Sequence, residues 1–557
     1  MVKRVTRIFT REVRGLHEAA YLLAAFALLS QVLALVRDRL FAAQFGAGET
    51  LDIYYAAFRI PDLLFVTVAS FISIYVLIPL LSEHLERNRD QVRAVLDSTF
   101  SVFFVLLALA GLLAWLLAPT LVPRLVPGFS AEATETTVLL TRIMLLQPIL
   151  LGFSNLLASL TQLKGRFLLY AVSPLAYNLG IIFGVLVLYD LLGSAGLAWG
   201  VVLGAALHVV VQVPAIAADG LLPRPTLSPQ LRVIRQVTLL SLPRTLTLSA
   251  QQLLLLVFVV LASGMAAGSI AGLQFAHNLQ SVPLSIIGVS YSVAAFPTLA
   301  RLFADGNAPA FRAQIASAMR HILFWSLPAI ALIIVLRAQI VRVILGSGAF
   351  DWADTRLTAA ALALFSISLL AQALVMLLVR GFYAAGDTRT PLLVNLTSVA
   401  AALVGALGLL SLFRSWEQGR IVFEELLRVD GIAGTDVLML PLAFSLGSIL
   451  NVLLLLALFE RTHGHLERML GRVLWQGGVA ALAGGMASYI MLAFMDDLVD
   501  INTFLGIATQ GFVAGVAGLA MTAYLLKLLG SRELTEAWRA FTHKFWRARS
   551  VVPEVEG

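Results

Sequence analysis

Long apolar runs recur along the chain, each about the length needed to cross a bilayer. Short polar or basic connections separate them. The pattern predicts spans near 19–44, 51–81, 96–118, 136–162, 167–189, 195–218, 236–262, 270–299, 315–337, 357–383, 391–413, 436–459, 471–495 and 503–528. One stretch breaks it. FGAGETLDIYYAAFRIPD, Phe45 to Asp62, puts Glu49, Asp52, Arg59 and Asp62 where spans 1 and 2 meet, just after Arg37 and Asp38.

Composition turns this pattern into a class. The chain has 557 residues, 59% hydrophobic and 13% charged, with a mean hydropathy of +0.90; soluble domains are about one-quarter charged. The expectation is an all-α integral membrane protein of about fourteen transmembrane helices. There is no cysteine, which excludes disulfides, thiol catalysis and Cys-based metal sites. The first 18 residues are basic, and no small-residue cleavage site follows the first apolar run, so that run reads as a retained helix.

Alternate connections differ in charge. The set holding the N-terminus and the C-terminal tail carries about two-thirds of the 39 lysines and arginines. Both termini are therefore expected in the cytoplasm, with an even number of spans. The net charge of +7 suits loops facing an anionic leaflet, not nucleic acid. The tail KLLGSRELTEAWRAFTHKFWRARS alternates basic residues with Trp and Phe. It reads as an interfacial amphipathic helix on the inner leaflet, with a disordered basic tail as the alternative. In the external stretch 415–436, EELLRV fits a short surface helix.

The chain also reads as a duplication. GFSAEATETTVLLTRIMLLQPILLGFSNLLASLTQLKGRFLLY, from Gly128, parallels GAFDWADTRLTAAALALFSISLLAQALVMLLVRGFYAAGDTRTP, from Gly348. AAFRIP, ending at Pro61, parallels HNLQSVP, ending at Pro283. The offset is about 220 residues, or six spans, so the halves share a topology and suit alternating access with a site between them. The expected organisation is an N-lobe at 1–218 (spans 1–6) and a cytoplasmic linker at 219–235. A C-lobe at 236–460 (spans 7–12), spans 13 and 14 at 461–530 and the tail at 531–557 follow.

Candidate chemistry is confined to a few positions. Asp52 and Arg59 are seven apart and share a helix face, with Tyr55 and Asp62 close to it. That stripe reads as a cavity wall or as a structural ion pair between lobes. Arg37 and Asp38 either line a polar cavity or end span 1 at the external interface beside Arg39. In span 8, Gln274, His277, Asn278 and Ser281 recur at i, i+3, i+4 and i+7, a single face. Neutral polar groups there need a cavity or another helix. Arg142 in span 4 and Arg244 in span 7 are further candidate cavity cations. Gly196, Gly200 and Gly204 have the spacing of close helix packing. THGH at 462–465 reads as a loop. No phosphate-binding loop, metal motif or catalytic triad is present, so no cofactor, metal or enzymatic activity is expected.

VRDRLFAAQFGAGETLDIYYAAFRIPDLLF (36–65) and VRGFYAAGDTRTP (379–391) resemble the MurJ/MviN family of lipid II flippases, in the multidrug/oligosaccharidyl-lipid/polysaccharide exporter superfamily. The likeness extends over spans 1–12 in order and spacing. It implies two parallel six-helix lobes of MATE-like architecture, a central cavity lined by arginines, and two further helices forming a lipid-tail groove. The implied substrate is an undecaprenyl-diphosphate-linked peptidoglycan precursor. Arg37, Asp38, Asp52 and Arg59 fall on family positions. Four departures are visible: Gln31, Phe65-Val66 and Asn278 stand where the family has arginines, and SFISIYVL replaces a polar segment of span 2. Residues 236–262 and 391–413 contain no Asp or Glu, so a sodium site of the kind some members carry is not expected.

The resulting expectation is a non-enzymatic, multi-pass flippase of the bacterial inner membrane that moves a lipid-linked cell-wall precursor such as lipid II outward. Arg37, Asp38, Asp52, Arg59, Gln274, His277, Asn278, Arg142 and Arg244 are its candidate binding residues. Membrane lipids and cell-wall synthesis proteins are the expected partners of a monomer. The rival readings are a flippase for another lipid-linked glycan, a MATE-like drug or cation antiporter, and a membrane scaffold.

Overall fold

The computed structural model describes residues 16–68, 89–464, 466–501 and 503–546, and these form helices and turns with no strand. Among them, twelve helices are long and apolar enough to cross a membrane. They coincide with expected spans 3–14. Span 1 is the helix Leu16–Phe45. Span 2 is described through Val68; its remainder, with SFISIYVL, lies outside the described residues. Three boundaries differ from expectation. The helix of span 7 starts at Leu231, inside the expected linker. The surface helix runs Glu417–Leu427, beginning before EELLRV. The helix of span 12 continues to His463, so the first half of THGH is helical; His465 lies outside the described residues. The tail forms the helix Arg532–Trp546.

Span 2 is two helices, Glu49–Ala57 and Arg59–Val68. Pro61 explains the break. It has no N–H for the carbonyl of Ala57, four residues back, and a proline there bends a helix. The hydroxyl of Thr141 in span 4 reaches that carbonyl at 3.4 Å. Asp52 and Arg59 lie on either side of this break, and both reach span 8, Asp52 at Gly268 and Ala271 and Arg59 at Gln274.

The chain divides into two compact units. The first contains Met1–Leu279, Ile344–Ala361 and Thr388–Gly447: spans 1–7, the start of span 8, the start of span 10, span 11 and the start of span 12. Spans 5 and 6 pack there with almost no side chain between them. A Cβ on Gly184 would lie 2.6 Å from the Cα of Gly200, and one on Gly180 would lie 2.3 Å from the Cα of Gly204. The small-residue spacing of span 6 thus matches a complementary one in span 5.

The second unit contains Gln280–Val343, Leu362–Asp387 and Ser448–Gly557. Spans 13 and 14 form a tight pair in it, the Thr522 hydroxyl donating to Gly518 O at 2.9 Å and to Ala480 O at 3.3 Å. Near one end, Gln510 donates to Asp496 Oδ1 at 2.5 Å and accepts from Gln339 of span 9 at 3.1 Å. The tail helix is fixed to the same unit. Leu534 and Ala537 pack on Phe324, Ala480 and Leu526. Glu533 lies 3.6 Å from Arg320, and Glu536 lies 3.5 Å from His321.

The span 5–6 contact sets up a comparison of two glycines. Gly200→Leu drives a side chain into the backbone of span 5 and should abolish the monodisperse peak in fluorescence-detected size exclusion. Gly405→Leu in span 11, which meets nothing within 4 Å, should leave the peak unchanged. Equal tolerance at both positions would contradict the packing.

Candidate functional site

Six polar side chains from four spans form one hydrogen-bonded chain in the first unit. Arg37 donates through Nε and Nη2 to Asp38 Oδ1, at 3.0 and 2.8 Å. Its Nη1 donates to Asn178 Oδ1 of span 5 at 3.0 Å. Asn178 in turn donates to Pro174 O at 3.0 Å, which fixes its amide. The other oxygen of Asp38 accepts from Asn278 of span 8 at 2.8 Å. Asn278 Oδ1 accepts from Gln274 at 2.8 Å, and Gln274 Oε1 accepts from Arg59 Nη2 at 2.7 Å. The relay runs Asn178–Arg37–Asp38–Asn278–Gln274–Arg59, across spans 5, 1, 8 and 2.

Asp38, Arg59 and Asn178 are buried, while Arg37, Gln274 and Asn278 are partly buried. Asp38 is 2% exposed and Arg59 9%. Charges at such depth are costly unless paired, and the pairing here is uneven. Arg37 and Asp38 share a salt bridge. Arg59 donates to one neutral oxygen; its Nε has no hydrogen-bond partner, and among the described residues no carboxylate lies within salt-bridge distance of it. The hydroxyl of Tyr55, one turn before Arg59, is also buried without a partner. With two guanidiniums and one carboxylate, the relay carries a net positive charge. An Arg with free donors is suited to phosphate oxygens.

Asp52 has a different place. Its oxygens accept the backbone N–H of Gly268 at 2.7 Å and of Ala271 at 2.8 Å, and it is 3% exposed. It caps the start of span 8, where the first N–H groups of a helix lack partners and the helix dipole favours an anion. A second carboxylate reaches the other way: Asp354 of span 10 accepts from Ala47 N at 3.0 Å. The backbones touch here. Ala349 N donates to Ala43 O at 2.8 Å, and a Cβ on Gly268, which has φ +88°, would lie 1.8 Å from Ala47 O. The connections before spans 2, 8 and 10 thus close tightly at this end.

The remaining candidates are not among the relay's six side chains. His277 turns its ring edge to Phe444, with centroids 6.0 Å apart. Arg142 lies over the Trp115 ring, 4.3 Å from its centroid, and donates to Trp115 O at 3.2 Å; it does not join the relay. Arg244 is helical, but its side chain is outside the described residues. Sequence reasoning missed Asn178, an isolated Asn in the apolar run SPLAYNLGIIF, and Asp354. An unpaired amide in a span was the available signal for the first; nothing in the pattern distinguishes the second from a solvated loop acid.

The family model for the lipid II flippase MurJ matches residues 41–509. The chain belongs to the MurJ family. A probable lipid II flippase MurJ of Rhizobium tropici is 30% identical over 68% of this chain and 73% of its own length. One from Vibrio cholerae is 26% identical over 93% and 97%. Among solved structures, a lipid II flippase MurJ in an inward closed conformation shares the fold, with a TM-score of 0.70 at 19% identity over 91% of this chain and 99% of its own. An inward-facing multidrug resistance MATE transporter of the MOP superfamily follows, with a TM-score of 0.63 at 14% identity over 79% and 96%. Where the resemblance implies an arginine, the neutral amide of Asn278 bridges Asp38 to Gln274.

The cap is testable by stability. Asp52→Ala leaves two buried N–H groups without acceptors, each costing about 1–3 kcal/mol, so the purified protein should unfold several degrees lower. Asp52→Asn, which keeps one carbonyl acceptor, should fall between. An Asp52→Ala protein as stable as the parent would remove the cap from the account.

Proposed function

We propose that this chain carries lipid II, or a closely similar polyprenyl-diphosphate precursor, from the inner to the outer leaflet of the bacterial inner membrane, both termini being cytoplasmic. The observation that carries the reading is Arg59, a buried guanidinium with one neutral partner and an unmet donor, in a relay of net positive charge. Membership of the MurJ family supports the substrate class.

The energetic problem is to move a large polar headgroup past about 30 Å of hydrocarbon. A polar path at the relay lowers that barrier while the polyprenyl tail stays in lipid. The diphosphate meets Arg59 and the second N–H of the Arg37 terminal nitrogens, whose first ones are held by Asp38 and Asn178. Asp38 holds Arg37 in place, and Gln274 and Asn278 transmit the position of one guanidinium to the other. Substrate oxygens can take over bonds that Gln274 now accepts, so binding loosens the relay joining spans 1, 2 and 5 to span 8. Opening at the end closed by Asp52 and Asp354 then requires giving up those caps. Their recovery on the return step restores the starting state. His277, Arg142 and Arg244 have no assigned step. The neutral Asn278 favours a second reading, a related lipid-linked glycan with a differently charged headgroup.

Complementation of a strain depleted of its lipid II flippase tests both. The parent should restore growth. Arg59→Ala and Arg37→Ala, at equal membrane levels, should plate on the order of 10³-fold worse, because each loses a transition-critical phosphate contact worth several kcal/mol. Arg59→Lys should rescue partially. A parent that is made normally and does not rescue would overturn the lipid II reading in favour of the other glycan; rescue by Arg59→Ala would overturn the assigned role of the relay.

A further inference from the structure

A cleft of about 490 Å³ opens in the first unit between the end of span 7 and the end of span 11, lined by Leu261, Leu407, Leu410, Ser411, Arg414 and Ser415. Its volume falls within the range of small-ligand sites. The lining is graded along one helix. Leu407 and Leu410 come first, Ser411 one turn on, and Arg414 and Ser415 at the helix end. Leu261 forms the facing wall. An apolar floor leading to a hydroxyl and a guanidinium at the helix terminus is the profile of an amphiphile.

The donors at the polar end are open. Asp436 accepts from Nε and Nη2 of Arg414 at 3.2 and 2.6 Å, leaving Nη1 without a partner among the described residues. The hydroxyl of Ser411 has none either, while that of Ser415 donates to Leu412 O. Asp436 thus fixes the guanidinium, and two donors one turn apart remain for a phosphate.

The helix Glu417–Leu427 next to the cleft sets the depth. Phe423 packs on Phe413 with ring centroids 5.8 Å apart, and Glu424 accepts from Thr435 at 2.6 Å, so the helix is held to the protein. Trp416 just ahead of the helix and Val422 and Leu426 on it are exposed, Leu426 by 75%, with Glu425 exposed beside them. On span 11, Val404, Leu407 and Leu412 are exposed as well. Exposed apolar side chains close in sequence to a Trp and an Arg suit a bilayer interface.

We propose that this cleft seats one membrane glycerophospholipid. Its phosphate is bound by Arg414 Nη1 and Ser411, and its acyl chains lie along Leu261, Leu407 and Leu410. The helix Glu417–Leu427 rests in the headgroup layer beside it. The site is separate from the relay and does not depend on the transported substrate.

Native mass spectrometry of the delipidated full chain tests it, titrated separately with dioleoylphosphatidylethanolamine, dioleoylphosphatidylglycerol, diolein, inorganic phosphate and undecaprenyl diphosphate. A single phospholipid should bind, and diolein and inorganic phosphate should not. Arg414→Gln should weaken phospholipid binding at least about tenfold and Ser411→Ala about threefold, while Arg356→Gln, at a guanidinium already engaged by Asp430, should leave it unchanged. If Arg414→Gln does not fold, Ser411→Ala alone decides. Unchanged binding in Ser411→Ala and Arg414→Gln, equal binding of diolein, or binding only of undecaprenyl diphosphate or free phosphate would each overturn the proposal.

Discussion

The structure depends on how ionisable side chains are kept inside a chain otherwise built for hydrocarbon. Arg37, Asp38 and Arg59 lie at a depth where water is scarce, and removing one partner of a buried pair costs about 3–5 kcal/mol. The relay meets that constraint by recruiting neutral amides. Asn178, Asn278 and Gln274 each donate on one side and accept on the other, so a single salt bridge extends into a network across four spans. Each amide can bridge two neighbours because it carries both a donor and an acceptor. Within the network, among the described residues, Arg59 has no salt bridge, only the charge of Asp62 three residues on, and its free donor gives a membrane protein a reason to attract an anion.

The same helices meet a second constraint at their ends. Helix starts expose N–H groups that must find acceptors. Asp52 caps span 8, and Asp354 accepts from the connection ahead of span 2. Both bonds join segments far apart in sequence. Glycine is needed where the backbones touch: at Gly268 any side chain would collide with Ala47. Fixing this end fixes where span 8 begins, and with it the height at which Gln274 and Asn278 present their amides to Asp38 and Arg59. Cap and relay are mechanically one device.

Elsewhere the surface is apolar where lipid is expected and amphipathic at the margins. The tail helix Arg532–Trp546 is anchored by Leu534 and Ala537 and by carboxylates near Arg320 and His321. The helix Glu417–Leu427 is anchored by Phe423 and Glu424. Each holds one face to the protein and leaves another for an interface, the arrangement that lets a peripheral helix report on the bilayer without leaving its span.

The sequence by itself determined the class, the positions of the spans, the family, and which few residues are too polar for their surroundings. Those properties follow from local hydropathy and from short motifs. It also placed Gln274 and Asn278 on one face, because helix periodicity is local. Tertiary structure alone decided their partners. Asp52 and Arg59 share a face and both meet span 8, but the helix start takes Asp52 as its cap while Gln274, further along, takes Arg59 into the relay. Arg142 has the composition of a cavity cation, and its position over Trp115 takes it elsewhere. Asn178 and Asp354 looked ordinary until distant segments arrived beside them. A hydrogen bond needs its partner within about 3 Å, and no local pattern records which of several hundred residues will be there.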